Sequence, residues 1–320
     1  MKVGVFTPVV GFMPLDEAVT YLASLGVEAL EIGAGGCPGK AHLDPEQLLG
    51  HPEKIRAVKE LMKQNNVEIC AISCHNNPVH PNAELAKRDH DEFLRAAELA
   101  EALEVKKMIG FSGCPGDHPG AKYPNWVTCP WPDDFGKILE YQWTVLVDYW
   151  QKMVPQITAH GVEKIAFEMH PGFCVYNPAT LLRLREAVGT AIGANFDPSH
   201  LIWQGIDPVE AIKYMGDSIY HFHAKDTRMD KANTAVNGVL CNDSYDKILT
   251  RPWVFRTIGY GSDVTQWKSM LSTLAAVGYD DAVCIEHEDG LMSAREGLEK
   301  AVAFLKDILI KEKPGAMWWA

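Results

Sequence analysis

The sequence predicts an α/β fold, a single (β/α)8 TIM barrel over residues 1–320 with long βα loops at its C-terminal face. Three observations carry this expectation. Short apolar strands alternate with helical stretches from end to end, the pattern of parallel β-α units. Eight such units are present, the number that closes a barrel, and 320 residues suit one barrel domain. Connections into strands are short, whereas three that leave strands are long, as expected when one rim carries function.

The first strand, 2–6, runs Lys-Val-Gly-Val-Phe and stops at Thr7-Pro8. Helical spacing follows over 14–25 and ends at Gly26, suited to the left-handed turn that closes a helix. Strand 28–32 leads into the first long connection, 33–50, and then helix 51–65. Strand 68–73 precedes helix 83–103. Strand 107–111 opens the second long connection, 112–134, before helix 135–160 and its closing Gly161. Strands 164–167 and 192–196 alternate with helices 177–187 and 208–215. Strand 219–223 opens the third long connection, 224–262. Helix 264–277, Gly278, strand 282–286 and helix 293–310 complete the series.

The chain carries 30 Lys+Arg against 42 Asp+Glu, a net charge of −12, which repels phosphodiester backbones and argues against a nucleic-acid partner. With 47% hydrophobic residues it can build a large core unaided. No run of about 18 apolar residues suggests a membrane span, and no secretory leader is visible. Eight cysteines occur without a C-x-x-C pair. Cys70 and Cys284 fall inside strands, where a small buried thiol is expected. Reduced thiols and a cytoplasmic location follow.

Glu168, Asp197, His223 and Glu286 each stand where a buried strand stops. Their spacings of 29, 26 and 63 residues are too wide for one helix or loop, but strand ends of a closed barrel converge on one rim. Carboxylates ending buried strands must be paired or bound to metal, or each costs several kcal/mol in lost hydration. Three oxygen donors and one imidazole suit one divalent ion. The oxygen-rich set favours Mn2+ or Mg2+ and tolerates Co2+ and Zn2+; Mn2+ is the expected ion.

Three histidines lie beside these ligands. His170 follows Glu168 by two, and His221 precedes His223 by two. Pro198 forces a turn that would aim His200 over the metal, toward substrate. Each could instead orient a ligand. His287 should face outward by alternation. His75 and Glu31 end earlier strands at the rim. Trp126, Trp131 and Tyr123 sit in a polar loop that suits stacking on sugar C–H faces, and Trp203 belongs to the same wall. Lys225 either pairs with Asp226 or reaches a substrate oxygen. The apolar end Met317-Trp318-Trp319-Ala320 would tuck against a neighbouring subunit, so a homo-oligomer is expected.

The run Glu168, Asp197-Pro198-Ser199-His200, His223-Ala224-Lys225-Asp226, Gly259-Tyr260-Gly261, Asp263, Trp267 and Ile285-Glu286 resembles the xylose isomerase-like TIM-barrel superfamily. It looks most like the sugar phosphate isomerase/epimerase branch, which includes ketose 3-epimerases and inosose-processing enzymes. The resemblance implies that Glu168, Asp197, His223 and Glu286 bind one divalent metal. It implies that Glu168 and Glu286 flank the sugar carbon and move its proton, and that His200 touches substrate. The epimerases also use an arginine six residues after the histidine ligand. That place is Met229 here, and Arg228 lies one residue off.

The resulting expectation is a metal-dependent isomerase or epimerase of a small-molecule sugar. It would abstract a proton beside a metal-bound carbonyl through an enediolate, with Glu168, Glu286 and His200 as catalytic groups. His75, His170, Trp126, Trp131, Lys225 and Arg228 would bind the sugar. The alternative in the same superfamily is a lyase or deglycosidase acting on 3-keto-glycosides, sometimes with a small partner subunit. A remoter one, the apurinic endonuclease branch, needs three zinc ions and a second Asp-x-His not found here.

Overall fold

The computed structural model describes residues 1–313, 315–317 and 319. In chain order it contains β1 (Lys2–Phe6), α1 (Leu15–Leu25), β2 (Ala29–Gly36), α2 (Pro45–Leu48), α3 (Pro52–Gln64), β3 (Glu68–His75), α4 (Ala83–Leu103), β4 (Lys107–Gly110) and α5 (Asp133–Ala159). There follow β5 (Lys164–Glu168), α6 (Pro178–Val188), β6 (Ile192–Phe196), α7 (Pro198–Trp203), α8 (Pro208–Met215), β7 (Ile219–Ala224) and β8 (Asp226–Met229). The last are α9 (Lys231–Asn237), β9 (Trp253–Arg256), α10 (Val264–Ala276), β10 (Ala282–Ile285) and α11 (Ala294–Ile308).

Strands β1 to β7 and β10 close into one parallel barrel, in which β10 pairs with β7 on one side and β1 on the other. The chain is thus a single (β/α)8 TIM barrel. Its strands are buried on both faces because helices cover the outside. Trp150 of α5 packs against Phe93 of α4 and Phe167 of β5, and its indole N–H donates to the Ser112 carbonyl at 2.7 Å. Helix starts are fixed by side-chain caps. Asn82 accepts from the amides of Glu84 and Leu85, and Asn177 forms a reciprocal capping box with Thr180.

Barrels of this kind are usually filled by branched apolar side chains in layers. This one is filled by polar and small groups. Glu31, Ser73, Asn195, His221 and His223 are buried within it, and Lys107, Cys70 and Cys284 lie toward the N-terminal ends of the strands. Gly4 of β1 leaves the space that the Cys284 sulfur occupies, since a Cβ there would overlap it.

The long connections hold structure that the pattern did not show. Segment 33–50 contains α2. Asp197 leads at once into α7, where it caps the helix by accepting from the Ser199 amide at 2.8 Å. Segment 224–262 contains α9 and a separate antiparallel pair, β8 with β9. β2 and β3 run four and two residues beyond the expected ends, to Gly36 and His75. Gly36 has φ 63°, and its backbone presses on His75 so closely that a side chain would not fit.

Among the described residues no helix is long and apolar enough to cross a membrane. All eight cysteines are free thiols. Of the apolar end, Met317 and Trp319 are exposed, while Trp318 and Ala320 lie outside the described residues.

Candidate metal centre

At the C-terminal rim, β5 ends on Glu168, β6 leads into Asp197, β7 carries His223, and Glu286 directly follows β10. Parallel pairing puts these ends side by side, and one ligand atom from each lies within 4.8 Å of the others. His223 Nδ1 is 2.9 Å from Glu286 Oε2 and 3.8 Å from Glu168 Oε2. On its other side, His223 Nε2 meets Glu31 Oε2 at 2.7 Å. Glu31 also receives His221 Nε2 at 2.9 Å and the Ser73 hydroxyl. The carboxylate below thus fixes the ring that faces the cluster.

Glu168 is held by two histidines. His75 Nε2 lies 3.0 Å from its Oε2, and His200 Nε2 lies 3.1 Å from its Oε1. His200 is fully buried, 3.4 Å from Asp197 Oδ2, with its ring 4.1 Å from that of His170. Lys225 is also buried. Its ammonium reaches Asp197 at 3.2 Å and both Glu286 and Glu288 at 3.1 Å. It does not pair with Asp226, whose carboxylate is taken up by amides and by Trp267.

The electrostatics ask for a cation. Burial raises Asp197, aided by Glu286 and Glu168 and only partly opposed by Lys225, and the carboxyl reaches about 7. Burial also works against ionised Glu168 and Glu286, but their basic neighbours win. Hydrogen bonds from His200 and His75 hold Glu168 well below the usual range, and Lys225 and His223 hold Glu286 at about 2. His223 is pushed down by burial and up more strongly by Glu31 and Glu286, so it stays protonated. Protons on His223 and Asp197 thus stand where a divalent ion would neutralise the same carboxylates. Asp197 Oδ2 is buried without a directed hydrogen bond, with the Lys225 ammonium at 3.2 Å, and Glu286 Oε2 faces His223 and Lys225. The donor chemistry and the unsatisfied Asp197 oxygen fit a divalent metal.

A pH dependence follows with a definite sign. Folded Asp197 keeps its proton between its ordinary 3.8 and about 7, where the unfolded chain has lost it. His223 acts in the same direction above its ordinary 6.5, so the metal-free fold loses stability as pH rises from about 4, through Asp197 first and then His223. A metal bound by these donors would displace those protons, so its affinity would rise with pH by up to about tenfold per unit per proton. The Tm gain from added Mn2+ should therefore be larger at pH 8 than at pH 6 in differential scanning calorimetry. An equal or larger gain at pH 6 would contradict the proton-for-metal exchange.

A cavity of about 490 Å³ opens above the cluster and is lined by His75, Glu168, His170, Lys225 and Glu286. Phe6, Phe111 and Phe173 form its apolar wall, and the last two rings stack at 4.1 Å. These phenylalanines carried no sequence signal beyond standing at or after strand ends. A second chamber of about 720 Å³ adjoins the first and shares His170, His287 and Glu288 with it. His287 therefore does not face only outward, because the chain leaves β10 as loop and alternation no longer applies.

Three expected sugar contacts lie elsewhere. Trp126 packs edge-on against Tyr176, and Trp131 is 75% exposed; neither lines the cavity. Their loop is drawn back over α5, where the buried Gln142 amide donates to the Pro115 and Asn125 carbonyls. Arg228 is exposed on β8, a strand outside the barrel, and also misses the cavity. Tyr123 is exposed, and Trp203 stacks on Trp253 at 4.7 Å.

This barrel and rim define a class: residues 19–308 match the xylose isomerase-like TIM barrel family, and the chain belongs to it. Among particular relatives, it is 39% identical over 312 residues to the uncharacterized protein YfiH of Bacillus subtilis, covering 97% of this chain and 99% of that one. It is 32% identical over 282 residues to the rhizopine catabolism protein MocC of Rhizobium meliloti, covering 87% and 76%. An inosose dehydratase of Clostridium botulinum is 22% identical, with 85% and 82% covered. The fold also matches a crystal structure of the probable 3-DHS dehydratase AsbF of Bacillus anthracis, with TM-score 0.69, 17% identity and 96% and 99% covered. D-psicose 3-epimerase of Clostridium cellulolyticum H10 matches with TM-score 0.61, 14% identity and 96% and 98% covered.

Proposed function

We propose that this protein is a divalent-metal-dependent isomerase or epimerase of a ketose or keto-sugar. The observation that carries the reading is that Glu168 and Glu286 belong to the four-donor set and also line the cavity. One divalent ion, Mn2+ first and Mg2+, Co2+ or Zn2+ otherwise, would be held by Glu168, Asp197, His223 and Glu286, where it supplies Lewis-acid polarisation of a carbonyl.

The chain's own groups do the rest. Both glutamates are ionised at neutral pH and can accept a proton from the carbon beside the carbonyl. Glu168, with each oxygen near a histidine, is fixed in position, whereas Glu286 is partly open to the cavity. One glutamate removes the proton to give an enediolate. The first then delivers that proton to the neighbouring carbon, or the other, once it has taken up a proton from solvent, protonates the opposite face of the same carbon and inverts it while the first gives its proton up to solvent. The Lys225 ammonium stands by for a negative substrate oxygen. His170, held neutral chiefly by burial, can hydrogen-bond a hydroxyl. The phenylalanine wall takes a sugar C–H face and keeps water off the reacting carbon.

A second reading is elimination, in which loss of a proton beside the carbonyl is followed by departure of a substituent on the next carbon. The adjoining chamber favours it by offering room for a larger keto-glycoside, and the dehydratase among the relatives is consistent with it. A small-molecule sugar, a homo-oligomer or a small partner subunit, and a cytoplasmic setting complete the proposal.

The test is a panel of free ketoses, inososes and 3-keto-glycosides incubated with Mn2+ in D2O, freed of metal by EDTA and read by NMR. Deuterium entering a ketose carbon next to the carbonyl supports isomerisation or epimerisation. Loss of water or aglycone without exchange into any free ketose assigns the site to elimination instead.

A further inference from the structure

Below the rim, inside the barrel, three other side chains of metal-ligating type meet. Cys70 of β3 and Cys284 of β10 come from strands separated by β1 and β2, yet their sulfurs lie 3.7 Å apart inside the barrel. His221 of β7 brings a ring nitrogen within 4.8 Å of both. We propose that Cys70, Cys284 and His221 form a second metal site, selective for a soft, tetrahedral cation such as Zn2+ and distinct from the oxygen-rich rim.

Four observations support it. A tetrahedral ion with Zn–S bonds of about 2.3 Å sets two sulfurs about 3.8 Å apart, so the thiols already stand at the spacing of one tetrahedral edge. His221 is fully buried and its Nε2 is engaged by Glu31, which leaves Nδ1 with no partner and no solvent. A carboxylate on one imidazole nitrogen and a metal on the other is the usual orienting arrangement for a histidine ligand. Gly4 also gives the Cys284 sulfur room to lie against β1, where a larger residue would displace it.

Charge balance closes as well. Two thiols lose two protons as the cation binds, so thiolates and a divalent ion sum to zero. The nearby Lys107 ammonium is independently neutralised by Asp281 at 2.8 Å. Cys70 is partly exposed, which gives the ion a route in and leaves the fourth position to water. Glu31 would then bridge both sites, since Nε2 of His221 and of His223 converge on its Oε2.

The experiment is an anaerobic Co2+ titration of the reduced full-length protein, read by absorption. Oxygen and nitrogen ligands at the rim give no thiolate-to-cobalt charge-transfer band, so the readout is independent of the rim and of the proposed activity. The expected result is such a band in the near ultraviolet, erased by Zn2+. It should be lost in Cys70→Ser and Cys284→Ser and kept in Cys114→Ser and Cys174→Ser. Because Cys284→Ser can fail to fold, alkylation of the native protein supplies a second measurement: Zn2+ should slow modification of the partly exposed Cys70 and leave that of the exposed Cys37 and Cys129 unchanged. Absence of the band in native protein overturns the proposal. So does a band that survives Cys70→Ser, or alkylation of Cys70 that Zn2+ does not slow.

Discussion

Replacing Glu286 by Gln is expected to lower deuterium exchange into the substrate by at least about 10³-fold, within the 10²–10⁴ range of a lost general base or acid. The substitution keeps the shape of the side chain but removes the charge facing His223 at 2.9 Å and Lys225 at 3.1 Å. Metal affinity should fall too, because one of three anionic donors has gone. The two losses can be separated. Asp197→Asn also weakens the donor set, but Asp197 is fully buried and does not line the cavity. Saturating Mn2+ should therefore restore much of the exchange in Asp197→Asn and little of it in Glu286→Gln. Exchange in Glu286→Gln within a few-fold of native at saturating metal would remove this glutamate from proton transfer.

The features that made the rim readable explain why other parts were not. A strand buried on both faces is largely apolar, so Glu168 after Ile165-Ala166-Phe167, or His223 after Ile219-Tyr220-His221-Phe222, marks itself as an exception. His75 could be placed at a strand end in the same way, but Glu31, expected to end its strand, is the third residue of β2, which runs on to Gly36. That Glu31 lies beneath the cluster and grips two histidines depends on barrel stagger, which no single strand reveals. Phe6, Phe111 and Phe173 read as ordinary apolar positions, and only convergence turns them into a wall. The tryptophan loop misled for a related reason. Aromatic composition suggests sugar stacking, but the backbone beside Trp126 is tied down by Gln142, a polar residue whose burial in α5 is invisible in helical spacing. The β8–β9 pair was hidden because Asp226-Thr227-Arg228-Met229 has neither apolar run nor alternation. Its order comes from one residue, Asp226.

Asp226→Ala should be the most damaging single change to the fold, at a cost above about 4 kcal/mol, a large part of the about 5–15 kcal/mol that stabilises a typical domain. The Asp226 carboxylate is fully buried and accepts from the amides of Thr227, Gly259, Gly261 and Ser262 at 2.9–3.1 Å, and from the Trp267 indole at 3.0 Å. Truncation leaves five donors without an acceptor, of which those of Thr227, Ser262 and Trp267 are buried, at about 1–3 kcal/mol for each buried one. Gly261 packs so tightly on the Thr227 backbone that the loop has little freedom to turn its amides elsewhere. Asp226→Asn should fall between native and Ala, because it keeps one acceptor oxygen but turns an NH2 toward donors. Urea unfolding gives the stability difference, and amide exchange at Gly259, Gly261 and Ser262 locates it. The damage should reach the site asymmetrically. The same loop holds Thr257, whose amide meets Asp289 at 2.8 Å behind the second chamber, whereas the four metal donors stand on other strand ends. A keto-glycoside that needs the second chamber should lose more turnover in Asp226→Asn than a free ketose that fits above the metal donors. A stability loss below about 1 kcal/mol in Asp226→Ala would show that water or a rearranged loop can replace the carboxylate, and that this clamp does not hold the wall.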